Sequence, residues 1–156
     1  MTIITDTREQ QPLEFPTVLG VELKVEGLPV GDYGAEHGEV PDLSVIERKS
    51  IPDLFSSYTS GYEQERNKMK KAAGMNLTFI LAIEGTATEV MKGHSYWKAG
   101  EVHDSHKTGM AMIRQLMTIQ RKYGISVWFC TTRKEMAWRI QEYFLAQDRL
   151  LCQGEG

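Results

Sequence analysis

On an extended chain, residues two apart face the same side. Glu47 and Lys49 therefore project together as a carboxylate and an ammonium, with Arg48 turned the other way. Fifteen residues upstream, Asp32 follows Gly31 and supplies a second carboxylate that a neighbouring strand can bring alongside. Asp32 and Glu47 suit a hard, oxygen-seeking cation such as Mg²⁺. Such an ion polarises a phosphoryl oxygen and lowers the pKa of a bound water. Lys49 can orient that water and stabilise charge on a pentacovalent transition state. The chemistry is phosphodiester hydrolysis. A plainer reading of D-x(n)-E-x-K alone is a strand that ends in solvated charges.

Further residues bear on the choice. Asp6-Thr7-Arg8-Glu9 comes directly after a short β-branched stretch, and Gly31-Asp32-Tyr33 follows. Val45-Ile46-Glu47-Arg48-Lys49 is then followed, four residues on, by Asp53. In this order and spacing the chain resembles the XPF-type structure-specific endonuclease domain, whose pattern runs D-x-R-E, then G-D, then E-R-K-x-x-x-D. The likeness continues through Asp53-Leu54 with Ser57, Ile83-Glu84-Gly85 and Tyr123-Gly124-Ile125, so it covers nearly the whole chain.

The resemblance implies an α/β fold: a three-layer sandwich around a mixed central sheet, with a restriction-endonuclease-like core. Asp32 and Glu47 match the family's metal ligands, and Lys49 its catalytic lysine. Asp6 and Glu9 match acids lining the same site, Asp6 assisting at the metal. Arg8 and Arg48 match arginines that contact phosphate or brace the carboxylates, and Asp53 matches the motif's last acid. The implied activity is cleavage of flapped, forked or otherwise branched DNA to 5′-phosphate and 3′-hydroxyl ends, in repair or recombination. Mg²⁺ is the implied cofactor, with Mn²⁺ able to substitute.

A non-catalytic DNA-binding or scaffolding subunit is the rival reading. Inactive XPF-like partners usually lose E-R-K or G-D residues, however, and this chain keeps them. A non-nuclease α/β protein with a structural ion network is a third. The chain also departs from the pattern. Tyr62 follows Gly61 where members commonly carry arginine, so Arg66 or Lys68 would have to substitute. No tandem helix-hairpin-helix module follows, and such stand-alone domains look like those of bacteria or phages.

Several of these residues have structural readings too. Asp53, third in a helix opened by Ser50, completes a capping box that contributes about 0.5–2 kcal/mol. Asp6 to Glu9 can be a polar turn. Tyr62, Arg66, Lys68, Lys70 and Lys71 form a candidate DNA-binding face, with a solvated helix face as the alternative. His94, His103 and His106 flank Tyr96 and Trp97 in spacing that matches no zinc pattern. That loop could stack an unpaired base or simply pack. Trp128 and Trp138 belong to the core or to a subunit contact.

The elements that must carry these groups alternate between β and α. Strands are predicted at residues 2–5 (TIIT), 21–25 (VELKV, half-buried), near Tyr33, 43–49 (LSVIERK), 77–83 (LTFILAI) and 125–130 (ISVWFC). The run at 77–83 reads as a strand covered on both faces, and 125–130 as another buried one. Helices are predicted from Ser50 to an interruption at Gly61, at 62–73, 86–92, 107–122 and 133–145, with a loop at 93–104. Met136, Ala137, Ile140, Tyr143 and Phe144 share one stripe of the last helix. It reads as core, but XPF-type nuclease domains pair through helices near this end, which implies a homodimer or heterodimer.

The 156 residues, 41% hydrophobic and 25% charged, suit one globular domain, expected over residues 1–146 with a polar tail at 147–156. No apolar run is long enough for a membrane span. The acidic opening MTIITDTREQ resembles no signal peptide, and two cysteines make no disulfide framework. A cytoplasmic location, in a bacterium or a phage-infected cell, is expected. The net charge of −3 weighs against a dedicated DNA-binding module. A nuclease can nevertheless be acidic overall, since bound metal neutralises its carboxylates and its basic groups cluster locally.

Overall fold

The computed structural model describes residues 1–59, 61–93, 97–98, 101–102 and 105–152. The chain begins with β1 (Thr2–Asp6), β2 (Glu22–Glu26), β3 (Tyr33–His37), β4 (Val40–Pro41) and β5 (Ser44–Ser50). There follow α1 (Ile51–Thr59), α2 (Tyr62–Gly74), β6 (Thr78–Glu84) and α3 (Ala87–Met91). A small ribbon of β7 (Trp97–Lys98) and β8 (Glu101–Val102) precedes α4 (Ser105–Tyr123), β9 (Ser126–Cys130) and α5 (Arg133–Cys152).

The main sheet is mixed. Its strands lie in the order β2-β1-β3-β5-β6-β9, with β4 paired to β3 off this path. β3 runs antiparallel to both β1 and β5, whereas β6 runs parallel to β5 and β9. Side-chain alternation sends each strand's residues to two helical layers. Val45, Phe79, Leu81 and Ile83 pack with Leu54 and Phe55 of α1, Met69 and Ala72 of α2, and Leu116 and Ile119 of α4. Ile3, Tyr33, Ile46, Ile80 and Ala82 pack on the other face with Met136, Ala137, Ile140 and Phe144 of α5. This is the expected three-layer sandwich. β6 lies between two parallel partners with five consecutive buried residues, as its unbroken apolar run requires.

Other elements differ from their sequence reading. β2 is an edge strand exposed along its whole length, because α1 and α2 cover the sheet further along; Leu23 and Val25 remain 60% and 71% exposed. β9 is the opposite edge and only half-buried. There Tyr143 meets Trp128 edge-on at 5.2 Å, and the Arg139 guanidinium lies over the Trp128 ring at 4.6 Å. Trp138 is exposed.

Residues 147–152 are not tail: α5 continues through them. Asp148 on this extension meets Nδ1 of the buried His37 at 2.8 Å, and Asp42 meets Nε2 at the same distance. That contact ties the helix end to the β3–β4 hairpin. The segment read as a loop at 93–104 contains the β7–β8 ribbon. His94, Tyr96 and His103 lie outside the described residues, as do the side chains of Trp97 and His106. Among the described residues no helix is long and apolar enough to cross a membrane.

Candidate active site

Asp32 owes its position to the glycine before it. Gly31 adopts φ +83°, and a Cβ there would lie 3.2 Å from Val45 Cβ and 3.3 Å from the Ile46 carbonyl oxygen. Only glycine meets both demands without strain. The Asp32 N–H then donates to the Ile46 carbonyl (2.8 Å), and the Asp6 N–H donates to the Asp32 carbonyl (2.8 Å). The Arg48 N–H closes the arrangement by donating to Asp32 Oδ2 at 2.7 Å. The ends of β1, β3 and β5 are thus joined where the acids stand.

Asp6, Asp32 and Glu47 all line one open cleft of about 590 Å³, together with Arg8, Gln64, Asn67, Lys68 and Lys71. Burial, and then the nearby Glu47 charge, push the Asp32 carboxyl up to about 7, against the opposing Arg48 N–H. Asp6 behaves differently. Burial alone would raise its pKa. Arg8 grips both its oxygens through Nε (2.6 Å) and Nη2 (3.1 Å), and backbone N–H groups of Leu28 (2.6 Å) and Arg8 (2.9 Å) add to the hold. The net effect is a carboxyl held below its usual range. Arg8 itself stays largely exposed and spends a further N–H on the Leu28 carbonyl at 2.9 Å.

Glu47 is buried, and its Oε1 receives Lys68 Nζ at 2.5 Å and faces Lys49 Nζ at 3.3 Å. Lys49 also donates to Glu65 Oε1 at 3.0 Å, and Lys68 approaches the same oxygen at 3.3 Å. Burial works against the Lys68 ammonium, but Glu47 and Glu65 outweigh it and raise its pKa. Lys49 is only 11% exposed in its side chain and is not part of the cleft lining.

Other predicted residues lie elsewhere. Arg48 points to the α5 side of the sheet, where it donates to Glu9 through Nε (2.9 Å) and Nη2 (3.0 Å) and to Glu84 through Nη1 (2.9 Å). Arg133 completes the network on Glu84 at 2.5 Å and reaches the Gln11 and Pro12 carbonyls. Burial would raise the Glu9 carboxyl, but Arg48 and the Gln11 N–H bring it below its normal range. Glu9, expected among the acids lining the site, is therefore a brace outside the cleft, because the turn after β1 carries it past the sheet edge onto Arg48. Asp53 joins Ser50 in capping α1: its N–H donates to Ser50 Oγ at 3.2 Å, and its Oδ2 accepts from the Ser50 hydroxyl at 2.6 Å.

The basic cluster on α2 divides. Lys68 and Lys71 line the cleft, and Lys71 donates to the Pro29 carbonyl at 2.6 Å. Arg66 instead lies 3.7 Å from Glu63, Lys70 is exposed, and neither lines the cleft. Tyr62 packs against the core beside Tyr58, ring centroids 6.2 Å apart.

Sequence reasoning missed Gln64, Asn67 and Glu65. The first two share the helix face of Lys68 and Lys71 at spacings of three, four and seven. Glu65 carries a different signal. It occupies the inward row of α2 with Met69 and Ala72, where an apolar residue is the norm.

Among the described residues, no three His, Cys, Asp or Glu side chains form a ready-made metal cage. The donor chemistry still fits Mg²⁺, which is held by one or two carboxylates with water and substrate phosphate completing its shell. Asp32 and Glu47 face the cleft as such a pair, and their mutual repulsion is what a dication relieves.

The model of the ERCC4 domain matches residues 5–141, nearly the whole chain. The chain belongs to the ERCC4-domain family. A relative, crossover junction endonuclease MUS81 of Debaryomyces hansenii, is 34% identical over 135 residues, covering 78% of this chain but only 19% of that protein. The solved structure of XPF from Aeropyrum pernix superposes with a TM-score of 0.68 at 21% identity, covering 99% of this chain and 69% of that one. A second structure of that XPF, in complex with DNA, gives a TM-score of 0.64 at 20% identity over 98% and 66% of the chains. The XPF-type nuclease fold read from the motifs is thereby established for this ERCC4 domain.

Proposed function

We propose that the chain is a metal-dependent DNA endonuclease that cuts flapped, forked or otherwise branched DNA, leaving 5′-phosphate and 3′-hydroxyl ends. The observation that carries the reading is the meeting of Asp32 and Glu47 at one wall of a cleft whose other wall is the polar face of α2. Asp32 and Glu47 would hold Mg²⁺, or Mn²⁺ in its place, with Asp6 behind them. When bound, the ion polarises the phosphoryl oxygen and acidifies a water.

The chain's own groups do the rest. Lys68, Lys71 and Arg8 offer cations to the DNA backbone along the cleft. The Arg48 N–H keeps Asp32 aimed inward, and Lys49, set behind the cleft wall with its Nζ 3.3 Å from Glu47 Oε1, would steer the attacking water from the Glu47 side. The membership in the ERCC4 family and the DNA-bound XPF relative support a DNA substrate. Pairing of two domains through α5 is part of the same proposal, supported by exposed Trp138 beside the Trp128–Arg139 stack. Light scattering at micromolar concentration reads the mass directly, and a monomer overturns the pairing.

The test incubates end-labelled flap, fork and linear duplex with the protein, with and without Mg²⁺, beside Glu47→Gln. Mg²⁺-dependent cutting of the branched substrates, lost in the variant, is the expected result. Binding without cutting by the unaltered protein would make it a scaffold. Equal cutting by Glu47→Gln would refute the assigned site.

A further inference from the structure

Glu65 is an acid in an apolar row. On α2 its neighbours along the inward face are Met69 and Ala72, and it is 5% exposed. A buried carboxylate is costly unless it is paired. Were stability its only purpose, an apolar side chain of similar size would serve as well. What Glu65 does hold is the lysine of the E-R-K element: Lys49 Nζ donates to its Oε1 at 3.0 Å, while Glu47 Oε1 lies 3.3 Å from the same nitrogen. Lys68 spans the same two carboxylates from the cleft side. Two acids and two ammoniums alternate around a closed square, and each ammonium touches both acids.

The square explains how two lysines coexist beside one acid. A lysine stem is flexible and its ammonium is a point charge, so position must be imposed from outside. Glu47 cannot impose it alone, because one oxygen already serves Lys68 and its carboxylate also faces the cleft. Any dication on Glu47 would repel Lys49, and the anchor that opposes this displacement is Glu65.

We propose that Glu65 is a positioning residue for phosphodiester cleavage, holding Lys49 against Glu47 through the 3.0 Å hydrogen bond from Lys49 Nζ. The inference rests on the nuclease reading. It is tested by steady-state cleavage of a labelled flap with Mg²⁺, comparing unaltered protein, Glu65→Gln, Lys49→Met and the double variant, with thermal melts of each.

Glu65→Gln should lower kcat by about 10²-fold, the size of loss that a misplacement of about an ångström can cause, with KM for the flap within about twofold. In the Lys49→Met background the same substitution should change nothing further, because both act through one ammonium. Full activity in Glu65→Gln, a loss confined to KM, or an equal loss in both backgrounds would each overturn the proposal.

Should Glu65→Gln melt out, Glu65→Gln with Lys68→Met restores one acid to one ammonium. That protein should still cut far more slowly than Lys68→Met alone, and equal rates would overturn the proposal too. Inert unaltered protein would remove the nuclease reading and this inference with it. An active parent beside a fully active Glu65→Gln removes only the inference.

Discussion

Replacing Asp32 by asparagine should stabilise the folded protein at neutral and alkaline pH even as it destroys the site. The side chain is held where burial and Glu47 disfavour its charge, so its carboxyl is pushed from 3.8 to about 7 on folding. A folded-state pKa above the unfolded one means the native state binds the extra proton between those values. The stabilisation it brings is complete below about pH 4 and is lost as pH rises through about 7.

Of the roughly three units between the two pKa values, about two lie between pH 5 and pH 8. At 1.36 kcal/mol per unit, the parent should lose about 3 kcal/mol over that interval on account of this group. Asparagine does not titrate, and its side-chain oxygen can still accept the Arg48 N–H. Every other ionisable group is common to both proteins, so the stability difference isolates Asp32 and the partner whose charge it feels. The assay is urea unfolding in EDTA at half-unit steps from pH 5 to pH 8.5, with Asp32→Asn beside the parent. The variant's relative stability should climb by about 3 kcal/mol and level off above pH 8. A difference that stays flat within about 1 kcal/mol, or falls with pH, would refute the placement of two repelling carboxylates in one cleft. Mg²⁺ added at pH 8 should stabilise the parent and leave Asp32→Asn unmoved.

Lys71→Ala should weaken binding to all DNA sequences alike and flatten the salt dependence by about one unit of slope. The paired substitution of Arg66 and Lys70 by alanine should leave the slope unchanged, since neither lines the cleft; electrophoretic titrations from low to moderate salt read both. Arg48→Met should cost about 3–5 kcal/mol in urea unfolding, because it strands the buried Glu9 carboxylate without its cation and leaves the partly buried Glu84 to Arg133 alone. A loss below about 1 kcal/mol would mean that Arg133 and water already satisfy those acids.

What could be read before any coordinates followed from local rules. The alternation of Glu47, Arg48 and Lys49, the cap at Ser50 and the break at Gly61 are all set by neighbours a few residues away. So is the unbroken apolar run that became β6. The rest depended on distant partners. Glu9, Arg48, Glu84 and Arg133 come from four separate segments, and nothing in D-x-R-E tells that its second acid turns towards α5. The four basic residues of α2 look alike in sequence, and only packing of Met69 and Ala72 decides that Lys68 and Lys71 face the cleft. β2 has a strand's alternation but no helix over it. α5 runs past Leu145 because Asp148 finds His37, 111 residues away.

One strand therefore serves two purposes by its geometry alone. Even-numbered residues of β5 from Ile46 face α5, and there Arg48 exchanges its charge with acids that never meet the cleft. Odd-numbered residues from Val45 face α1 and α2, and there Glu47 and Lys49 meet the helix that carries Glu65 and Lys68. The two faces communicate through the backbone: the amide of Arg48 bonds Asp32 in the cleft while its guanidinium is clamped behind the sheet. A side-chain substitution at Arg48 keeps that amide but releases the clamp. Its effect on the site must then travel as a change in backbone position, seen as a shift in the Asp32 titration rather than as loss of a phosphate contact.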